Sequence, residues 1–424
     1  MKKYLEGLPK KIRELVYLAK DLAAYRRMPA YLVGGFVRDL ILGVRNFDLD
    51  IVVVGDGIKF AEYFARALKA KLIRHKRFGT ATVVLKPGLK IDIATARSEI
   101  YPLPAHLPVV KPGSLEDDLF RRDFTINAMA ISLAENDFGR LIDCYGGVGD
   151  LKNKTIRVLH ALSFIDDPTR IIRAIRFEQR FGFKLDAGTL KLLKEAVRAK
   201  MLKIVEPQRL RDDLILVLKE AEPIKEIMRF KELTGFSFID KHLVAGAKTI
   251  GLLRCADKEI KWFIRTHPRR RALDSWLIYF IALTDNLKSP AIKPLVQRFA
   301  LKRGEEIRIL SYKSAQLKIA PALKKKDINP SELFSCLEPL SYEVIILLKA
   351  KFGGACLRNN IDKFFLNLNG ARISISGDDL RRLGLEPGPH YQKIFKSILN
   401  AKLDGKLRTR QDELRLVKNI IRRP

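Results

Sequence analysis

Cysteine, tryptophan and histidine are scarce in this chain, with 4, 2 and 6 residues among 424. The cysteines are far apart and form no Cys-x-x-Cys pair; they are Cys144, Cys255, Cys336 and Cys356. Zinc sites and disulfide frameworks need clustered thiols, so we expect no zinc and reduced, mostly buried thiols in a cytoplasmic protein. No apolar run approaches the roughly 20 residues that span a bilayer, and the charged start of the chain does not resemble a signal peptide.

Acidic residues are also few for a chain of this size. Asp and Glu total 48 against 80 Lys and Arg, which gives a formal net charge of +32. Such an excess favours a polyanionic partner, because each phosphate contact releases condensed counterions. Charge alone would equally suit a ribosomal or other RNA-binding protein, so the function has to be inferred from local motifs.

Two aspartates, Asp48 and Asp50, lie one residue apart at the start of an apolar, β-branched segment. Residues i and i+2 of a strand point to the same face, so the pattern aims both carboxylates at one point. Mg²⁺ is typically held by one or two carboxylates and by substrate phosphates. We therefore predict that Asp48 and Asp50 bind Mg²⁺ and are catalytic in phosphoryl transfer.

A glycine pair precedes these aspartates, within residues 31–43. The segment predicts a short strand, a turn at Gly34 and Gly35, and a short helix that carries Arg38. Glycine lets the backbone approach a ligand closely, and a helix start offers free N–H groups to phosphate. A glycine loop, an arginine and then paired carboxylates is the order expected for a nucleoside triphosphate site.

A third acidic residue, Asp92, lies on one of two predicted hairpin strands, 80–85 and 90–94, joined by a turn at 86–90. On a neighbouring strand of the same sheet, its carboxylate could approach the metal and activate a hydroxyl group. An ion pair with Arg97 is an equally good interpretation. The proline-rich residues 98–117 predict a mobile loop.

Acidic and basic residues recur every three positions from Asp167 through Arg170 and Arg173 to Arg176. On a helix this spacing forms a stripe, while the isoleucines between them can face a core. Asp accepts and Arg donates hydrogen bonds, so the stripe could address a nucleobase edge and a triphosphate. Alternatively, Asp167 only caps the helix. We expect Glu206 or Arg209 to brace this helix.

Three motifs in this order resemble the class II tRNA nucleotidyltransferase and bacterial poly(A) polymerase family: residues 32–39 with Asp48 and Asp50, residues 121–130, and residues 166–177. The resemblance covers about the first half of the chain. It implies a polymerase-β-like α/β head with a mixed sheet, followed by an all-α neck, body and tail. It also implies a Mg²⁺-dependent enzyme that extends tRNA 3′ ends from ATP, and possibly CTP, without a template.

The resemblance assigns roles to particular residues. It implies that Asp167 and Arg170 pair with the incoming base, that Arg173 and Arg176 hold the nucleotide, and that Arg122 contacts it. We expect Asp123 and Asn127 to orient Arg122 or to stabilise its turn.

The choice between adding A alone and adding CCA stays open. Complete CCA-adding enzymes usually have Glu-Asp where this chain has Asp166 and Asp167, and residues 94–108 and 178–183 look closer to the branch with A-adding enzymes. A poly(A) polymerase acting on general RNA, a non-catalytic RNA-binding protein and a small-molecule nucleotidyltransferase are the alternatives.

Periodicity predicts three domains, in a monomer or weak dimer. They are a head at 1–150 with a leading helix, a nucleotide-selecting helical neck at 151–225, and a helical, tRNA-binding body and tail at 226–424. Basic clusters at 268–271, 323–326 and 381–382 suggest a track for RNA backbone.

Overall fold

The computed structural model describes residues 1–45, 47–85 and 88–422. The chain forms two compact units, residues 1–238 and 239–424. The boundaries predicted at 150 and 225 both fall inside the first unit, and they stay predictions for its subdivision. Lys86 and Pro87 of the predicted hairpin turn lie outside the described residues.

All strands belong to the first unit, and most lie before residue 150. They are β1 (Ala30–Val33), β2 (Leu49–Val53), β3 (Lys71–His75), β4 (Thr80–Val84), β5 (Lys90–Thr95), β6 (Arg97–Ile100), β7 (Val109–Pro112), β8 (Ala130–Ser132), β9 (Leu141–Ile142), β10 (Thr155–Ile156) and β11 (Lys184–Leu185).

Helices occur in both units. Those of the first are α1 (Lys2–Glu6), α2 (Lys10–Arg26), α3 (Gly35–Leu42), α4 (Gly57–Ala67), α5 (Leu115–Phe120), α6 (Gly147–Lys152), α7 (Ser163–Asp166), α8 (Thr169–Phe181), α9 (Ala187–Arg198), α10 (Pro207–Leu218) and α11 (Pro223–Leu233). Those of the second are α12 (Ala247–Thr266), α13 (Ser275–Leu283), α14 (Ser289–Arg298), α15 (Arg303–Lys318), α16 (Ala320–Leu323), α17 (Pro330–Leu337), α18 (Tyr342–Phe352), α19 (Ala355–Lys363), α20 (Gly377–Arg382), α21 (His390–Leu403) and α22 (Arg410–Arg422).

A seven-stranded mixed sheet organises the head, in the order β3-β4-β5-β2-β1-β8-β9. β2 pairs parallel to β5 and antiparallel to β1, and the hairpin predicted for β4 and β5 is present. The apolar residues of β2 are buried, whereas Asp50 is half-buried and Asp48 is exposed just before the strand. The predicted α/β head with a mixed sheet is confirmed, and its central strand carries the aspartate pair.

The segment predicted as a mobile loop, 98–117, keeps a loop at residues 101–108; most of its remainder forms the two strands of a β-ribbon and the start of a helix. β6 and β7 pair antiparallel from Arg97–Pro112 to Ile100–Val109. Helix α5 then begins after Ser114, whose hydroxyl and backbone N–H form a capping box with Asp117. The prolines misled the prediction, because an edge strand with few partners tolerates proline at its end.

Helix α8 carries the predicted Asp/Arg stripe. Ile171, Ile172 and Ile175 are fully buried, and Gly182 ends the helix in a left-handed conformation with φ of +63°. The buried isoleucines form the expected apolar face of α8, and the arginines lie on the other sides of the helix.

The described residues of the second unit, 239–422, contain helices and no strand. Helix α13 is buried along its whole apolar segment. Our expectation of mostly buried thiols is wrong, because three of the four free cysteines are exposed and only Cys336 is partly covered. Across the described ranges no helix combines the length and apolar character of a membrane span.

Candidate functional site

A polar cleft of about 520 Å³ lies in the first unit. Its walls bring together the glycine turn, the start of the central sheet, the β6–β7 ribbon and helices α8 and α10. The lining residues are Gly34, Gly35, Arg38, Asp50, Phe78, Arg97, Glu99, Tyr101, Leu107, Pro108, Arg121, Arg122, Asp123, Asn127, Asp167, Arg170, Arg173, Arg176, Phe177, Arg180 and Arg209. All eight predicted nucleotide-binding residues are among them.

Of the three predicted catalytic acids, Asp50 lines this cleft, whereas Asp48 and Asp92 lie near Asp50 but outside the lining. Asp50 on β2 is the register partner of Asp92 on the parallel strand β5, so both side chains leave the same face. Burial raises the pKa of Asp50 to about 6, Arg122 opposes the rise, and the negative charges of Asp92 and Asp48 add to it. The three predicted catalytic acids are therefore close enough to repel one another.

The alternative ion pair for Asp92 is wrong, because Arg97 binds elsewhere. The Asp92 carboxylate accepts a 2.6 Å hydrogen bond from the Thr82 hydroxyl. Arg97 donates instead to Glu99 and to the Phe78 carbonyl.

The carboxylate oxygens beside the cleft suit Mg²⁺, which needs few protein ligands, better than a metal ion whose ligands all come from the protein. Within the described residues, no three His, Cys, Asp or Glu side chains converge into a complete metal site. Asp50 offers a carboxylate that accepts no hydrogen bond from the described part of the chain, which leaves its oxygens available. Mg²⁺ commonly takes one or two carboxylates and completes its shell with water and substrate phosphates, and Asp48 with Asp50 could supply that share.

Gly34 lets Arg122 reach the carboxylate edge. Gly34 has φ of +66°, and a Cβ atom there would lie 2.7 Å from Arg122 Nη1 and 3.7 Å from Asp50 Oδ2. The buried carboxylate of Asp118 accepts a 2.8 Å bond from Arg122 Nη2, while the buried Nε of Arg122 has no partner among the described residues. The turn thus needs glycine because a guanidinium group fills the space of its side chain.

Arg38 belongs to a hydrogen-bonded chain that crosses the cleft floor. It is buried, bonds Asp39, and donates to Asn127 Oδ1 at 2.6 Å; Asn127 in turn donates to Asp123 Oδ1 at 2.9 Å. Asp123 Oδ2 pairs with Arg173 at 2.6 Å. Burial acts to raise the pKa of Asp123, but Arg173 and Asn127 hold it below its ordinary value.

Of the two roles expected for Asp123 and Asn127, the structure supports the stabilisation of the turn, because Asp123 Oδ1 accepts from the Phe124 backbone and from Asn127. They do not hold Arg122, which Asp118 orients. They connect Arg38 on α3 with Arg173 on α8, two residues that sequence spacing alone could not bring together.

The remaining stripe residues are tied to their surroundings. Asp167 Oδ1 accepts bonds from the Thr169 backbone and hydroxyl and from Arg209 Nη2 at 2.8 Å. The N-cap of α8 is Pro168, so Asp167 bonds the first helical residue without occupying the cap position, and Arg209 braces the start of the helix as expected. Arg170 is buried and donates to the Ser163 hydroxyl and to the Arg121 carbonyl. Arg176 pairs with Glu220 at 2.6 Å.

Sequence reasoning missed a group on the β6–β7 ribbon. Arg97, Glu99 and Tyr101 line the cleft together with Arg121. Their i, i+2, i+4 spacing along an extended segment places them on one face, and this alternation is the signal that could have found them. We overlooked it because the surrounding prolines suggested a loop.

A mixed-sheet head with a carboxylate pair, a glycine turn and an arginine-lined cleft defines the class of polymerase-β-like nucleotidyltransferases. The model of the Poly A polymerase head domain matches residues 30–157. The A-adding tRNA nucleotidyltransferase of Geobacter sulfurreducens is 38% identical over 97% of this chain and 49% of its own length. That of Halalkalibacterium halodurans is 30% identical over 94% of this chain and 90% of its own.

A solved structure, the Thermotoga maritima CCA-adding enzyme complexed with tRNA, is 35% identical, with a TM-score of 0.74 over 99% of this chain and 98% of that one. The chain therefore belongs to the tRNA nucleotidyltransferase and poly(A) polymerase family. It spans about half the length of the Geobacter relative.

Proposed function

We propose that this chain is a Mg²⁺-dependent tRNA nucleotidyltransferase that transfers AMP from ATP to the 3′ hydroxyl of tRNA. The observation that carries the proposal is Asp50, a half-buried carboxylate near Asp48 and Asp92 that lines a cleft rich in arginine. Acids that face a nucleotide's phosphates need a bridging cation, and arginines suit the phosphate oxygens directly. The family relatives and the charge of +32 support the RNA substrate.

In the proposed reaction, the primer O3′ forms a bond to the α-phosphorus while the bond to the β-phosphate oxygen breaks and pyrophosphate leaves. Arg122, held by Asp118 against the glycine turn, neutralises the triphosphate. Arg173, fixed by Asp123, orients the nucleotide from the opposite wall. Asp92 accepts the hydroxyl proton, since its carboxylate lies on the strand next to Asp50.

Mg²⁺ held by Asp48 and Asp50 would polarise the hydroxyl and offset the charge of the departing pyrophosphate. The protein's own contribution is positional, because phosphoryl transfer depends mainly on alignment and charge stabilisation. Asp167 and Arg170 form the base-facing end of the cleft, and their internal bonds keep that end rigid.

A second candidate, addition of C, C and A, is favoured by the likeness to a CCA-adding structure over nearly the whole chain. We prefer A addition because an A-adding relative is 38% identical over 97% of this chain, against 31% over 94% for a CC-adding relative. We further propose that the protein acts in the cytoplasm as a monomer or weak dimer.

Incubation with tRNA that ends before, within or after its CC sequence tests the proposal. With ATP alone, we expect one A on the tRNA that ends in CC and pyrophosphate in equal amount. With CTP supplied separately, incorporation of C onto the shortest tRNA would exclude an A-only enzyme. Long homopolymer tails on a generic RNA primer would identify a poly(A) polymerase, and no metal-dependent pyrophosphate release would refute a nucleotidyltransferase.

A further inference from the structure

The β6–β7 ribbon presents a hydrogen-bond acceptor to the base-facing end of the cleft. Tyr101 follows β6, lines the cleft and is half-buried. Its hydroxyl bonds Glu99 Oε2 at 3.0 Å. Because a carboxylate oxygen accepts, the tyrosine hydroxyl donates its only proton to Glu99, and the phenol oxygen retains only its capacity to accept.

Glu99 is fixed by several donors. Its side chain is only 6% exposed, and Oε1 accepts from Arg97 Nε and Nη2 at 3.1 and 2.8 Å and from Arg121 Nη1 at 3.1 Å. Arg121 is itself held by Asp118 through bonds of 2.9 and 2.6 Å. A carboxylate with this many partners cannot turn away from Tyr101 without breaking an ion-pair network.

The position of Tyr101 matches the expected location of the nucleobase. Besides Glu99, the charges that act on its hydroxyl are those of Arg170 and Asp167, the two residues that the family motif assigns to the base. Burial and Glu99 both raise the pKa of Tyr101, so the phenol keeps its proton.

The two residues assigned to the base already take part in bonds within the protein. Both terminal nitrogens of Arg170 donate to protein acceptors, and one carboxylate oxygen of Asp167, Oδ1, accepts from Thr169 and Arg209. The phenol oxygen of Tyr101 is a further acceptor that lines the same cleft.

We propose that Tyr101, held as an obligate acceptor by Glu99, is a specificity residue that recognises the exocyclic amino group on the Watson–Crick edge of the incoming nucleobase. Adenine and cytosine carry that donor, whereas hypoxanthine, guanine and uracil carry a carbonyl oxygen there. Two acceptors that face each other repel, so Tyr101 favours ATP and disfavours the carbonyl-bearing nucleotides. This inference rests on the proposed nucleotidyl transfer.

The test compares ATP, inosine triphosphate and purine riboside triphosphate as substrates of wild type and Tyr101→Phe. Purine riboside triphosphate lacks the amino group and has no carbonyl in its place. We expect kcat/KM for ATP to fall about tenfold in the variant, since one hydrogen bond is lost. The values for purine riboside triphosphate should stay unchanged, and those for inosine triphosphate should stay or rise.

The matched control is Tyr145→Phe, whose hydroxyl bonds the Glu116 carbonyl at 3.4 Å and which does not line the cleft. It should leave the ATP to inosine triphosphate ratio unchanged. Glu99→Gln tests whether Glu99 holds Tyr101 as an acceptor. The Gln amide can donate to the phenol oxygen, which frees the Tyr101 hydroxyl to donate to the base, so this variant should also lower the ratio of kcat/KM for ATP to that for inosine triphosphate. Circular dichroism establishes that each variant is folded.

An equal loss with all three nucleotides, or no loss with any, would overturn the proposal, since a purely structural role does not distinguish them. Wild type that adds no A to tRNA would refute the proposed function instead. A direct measurement of wild-type and variant affinities for ATP and inosine triphosphate by calorimetry then still tests Tyr101 separately.

Discussion

The two units use their charged side chains in different ways. In the cleft of the first unit, Asp50 accepts no hydrogen bond from the described residues, and the buried Nε of Arg122 has no partner. In the second unit, Arg271 forms two bonds of 2.8 Å with the fully buried carboxylate of Glu343. The amino group of Lys349 lies 3.0 Å from the Glu259 carboxylate, and both of these side chains are buried as well.

This difference shows why the net charge alone did not locate the site. Buried charges are normally paired because an isolated charge is costly to remove from water. The basic cluster at 268–271 follows that rule: Arg270 donates to the Asn369 carbonyl and Arg271 binds Glu343, so both stabilise the unit. Most charges of the cleft are paired as well, but Asp50 and Nε of Arg122 depart from the rule, and their unused hydrogen-bonding capacity is available to a ligand.

The largest effect that would test this comparison is expected from Asp50→Asn. The change removes a charge that would bind Mg²⁺, so AMP incorporation should fall by about a thousandfold or more. The free energy of unfolding should not decrease, because the carboxylate is not used in internal hydrogen bonds. Incorporation with tRNA and ATP, and unfolding in urea, measure the two quantities.

The control is Asp21→Asn, which removes an exposed acid of α2 that lies 3.7 Å from Lys20 and does not line the cleft. It should change neither quantity. Substantial residual turnover in Asp50→Asn would remove the main support for the metal assignment.

The opposite pattern is expected in the second unit from Glu343→Gln. The change removes the buried charge that accepts two bonds from Arg271, whose own side chain is 48% exposed, and should lower the free energy of unfolding by about 2 kcal/mol. Per-molecule activity below the melting transition should remain near wild type. A variant as stable as wild type would contradict the structural role assigned to the pair.

The same substitution has a defined pH dependence. Burial opposes ionisation of Glu343, but Arg271 and the Asp274 backbone lower its pKa to about 2. Its stabilising contribution is therefore complete above the unfolded value near 4.5 and decreases as pH falls towards 2. The stability difference between wild type and Glu343→Gln should shrink over that interval in acid unfolding experiments.

Local sequence patterns predicted much of the fold and of the cleft. Asp50 and Gly34 belong to short motifs whose chemistry depends on neighbouring residues, and α8 has an unambiguous apolar face. These features are encoded within a few positions, so periodicity and residue type were sufficient, whereas the role of Arg122 was implied by the family resemblance.

What the sequence could not show depends on contacts between distant segments. The link from Arg38 through Asn127 and Asp123 to Arg173 joins residues separated by up to 135 positions along the chain (173 − 38). The exposure of Cys144 and the ribbon at 97–112 were mispredicted for a related reason: thiol burial and edge pairing depend on which elements pack beside them.

A smaller effect, confined to the cleft, is expected from Gly34→Ala. A Cβ atom would displace Arg122 Nη1, only 2.7 Å away, and the left-handed backbone adds about 1 kcal/mol of strain. We expect the KM for ATP to rise about tenfold, with a smaller change in kcat, because a triphosphate contact moves. Steady-state kinetics with varied ATP measure both.

Gly35→Ala is the matched control for this change. Gly35 begins α3, and its added Cβ would meet only Arg38 Nη2 at 3.5 Å, an ordinary contact distance. Its KM should stay within about twofold of wild type. Equal effects at both positions would show that the turn as a whole, and not the position of Arg122, determines nucleotide binding.

The smallest effect is expected at Glu226, a buried acid of the first unit that does not line the cleft. A substitution there tests whether an incompletely paired carboxylate always indicates a functional site. Burial raises the pKa of Glu226 to about 7, and one carboxylate oxygen has no partner among the described residues. Because the pKa of Glu226 is raised, its ionisation destabilises the folded protein as pH rises from about 4.5 to 7. Glu226→Gln removes that ionisation, so it should stabilise the protein by about 1–2 kcal/mol at pH 8 and have no effect on stability below about pH 4. The exposed control Glu222→Gln should change stability by less than about 0.5 kcal/mol at either pH. If Glu226→Gln also left AMP incorporation unchanged, a missing partner would indicate a ligand site only where, as at Asp50, the group faces an open cleft.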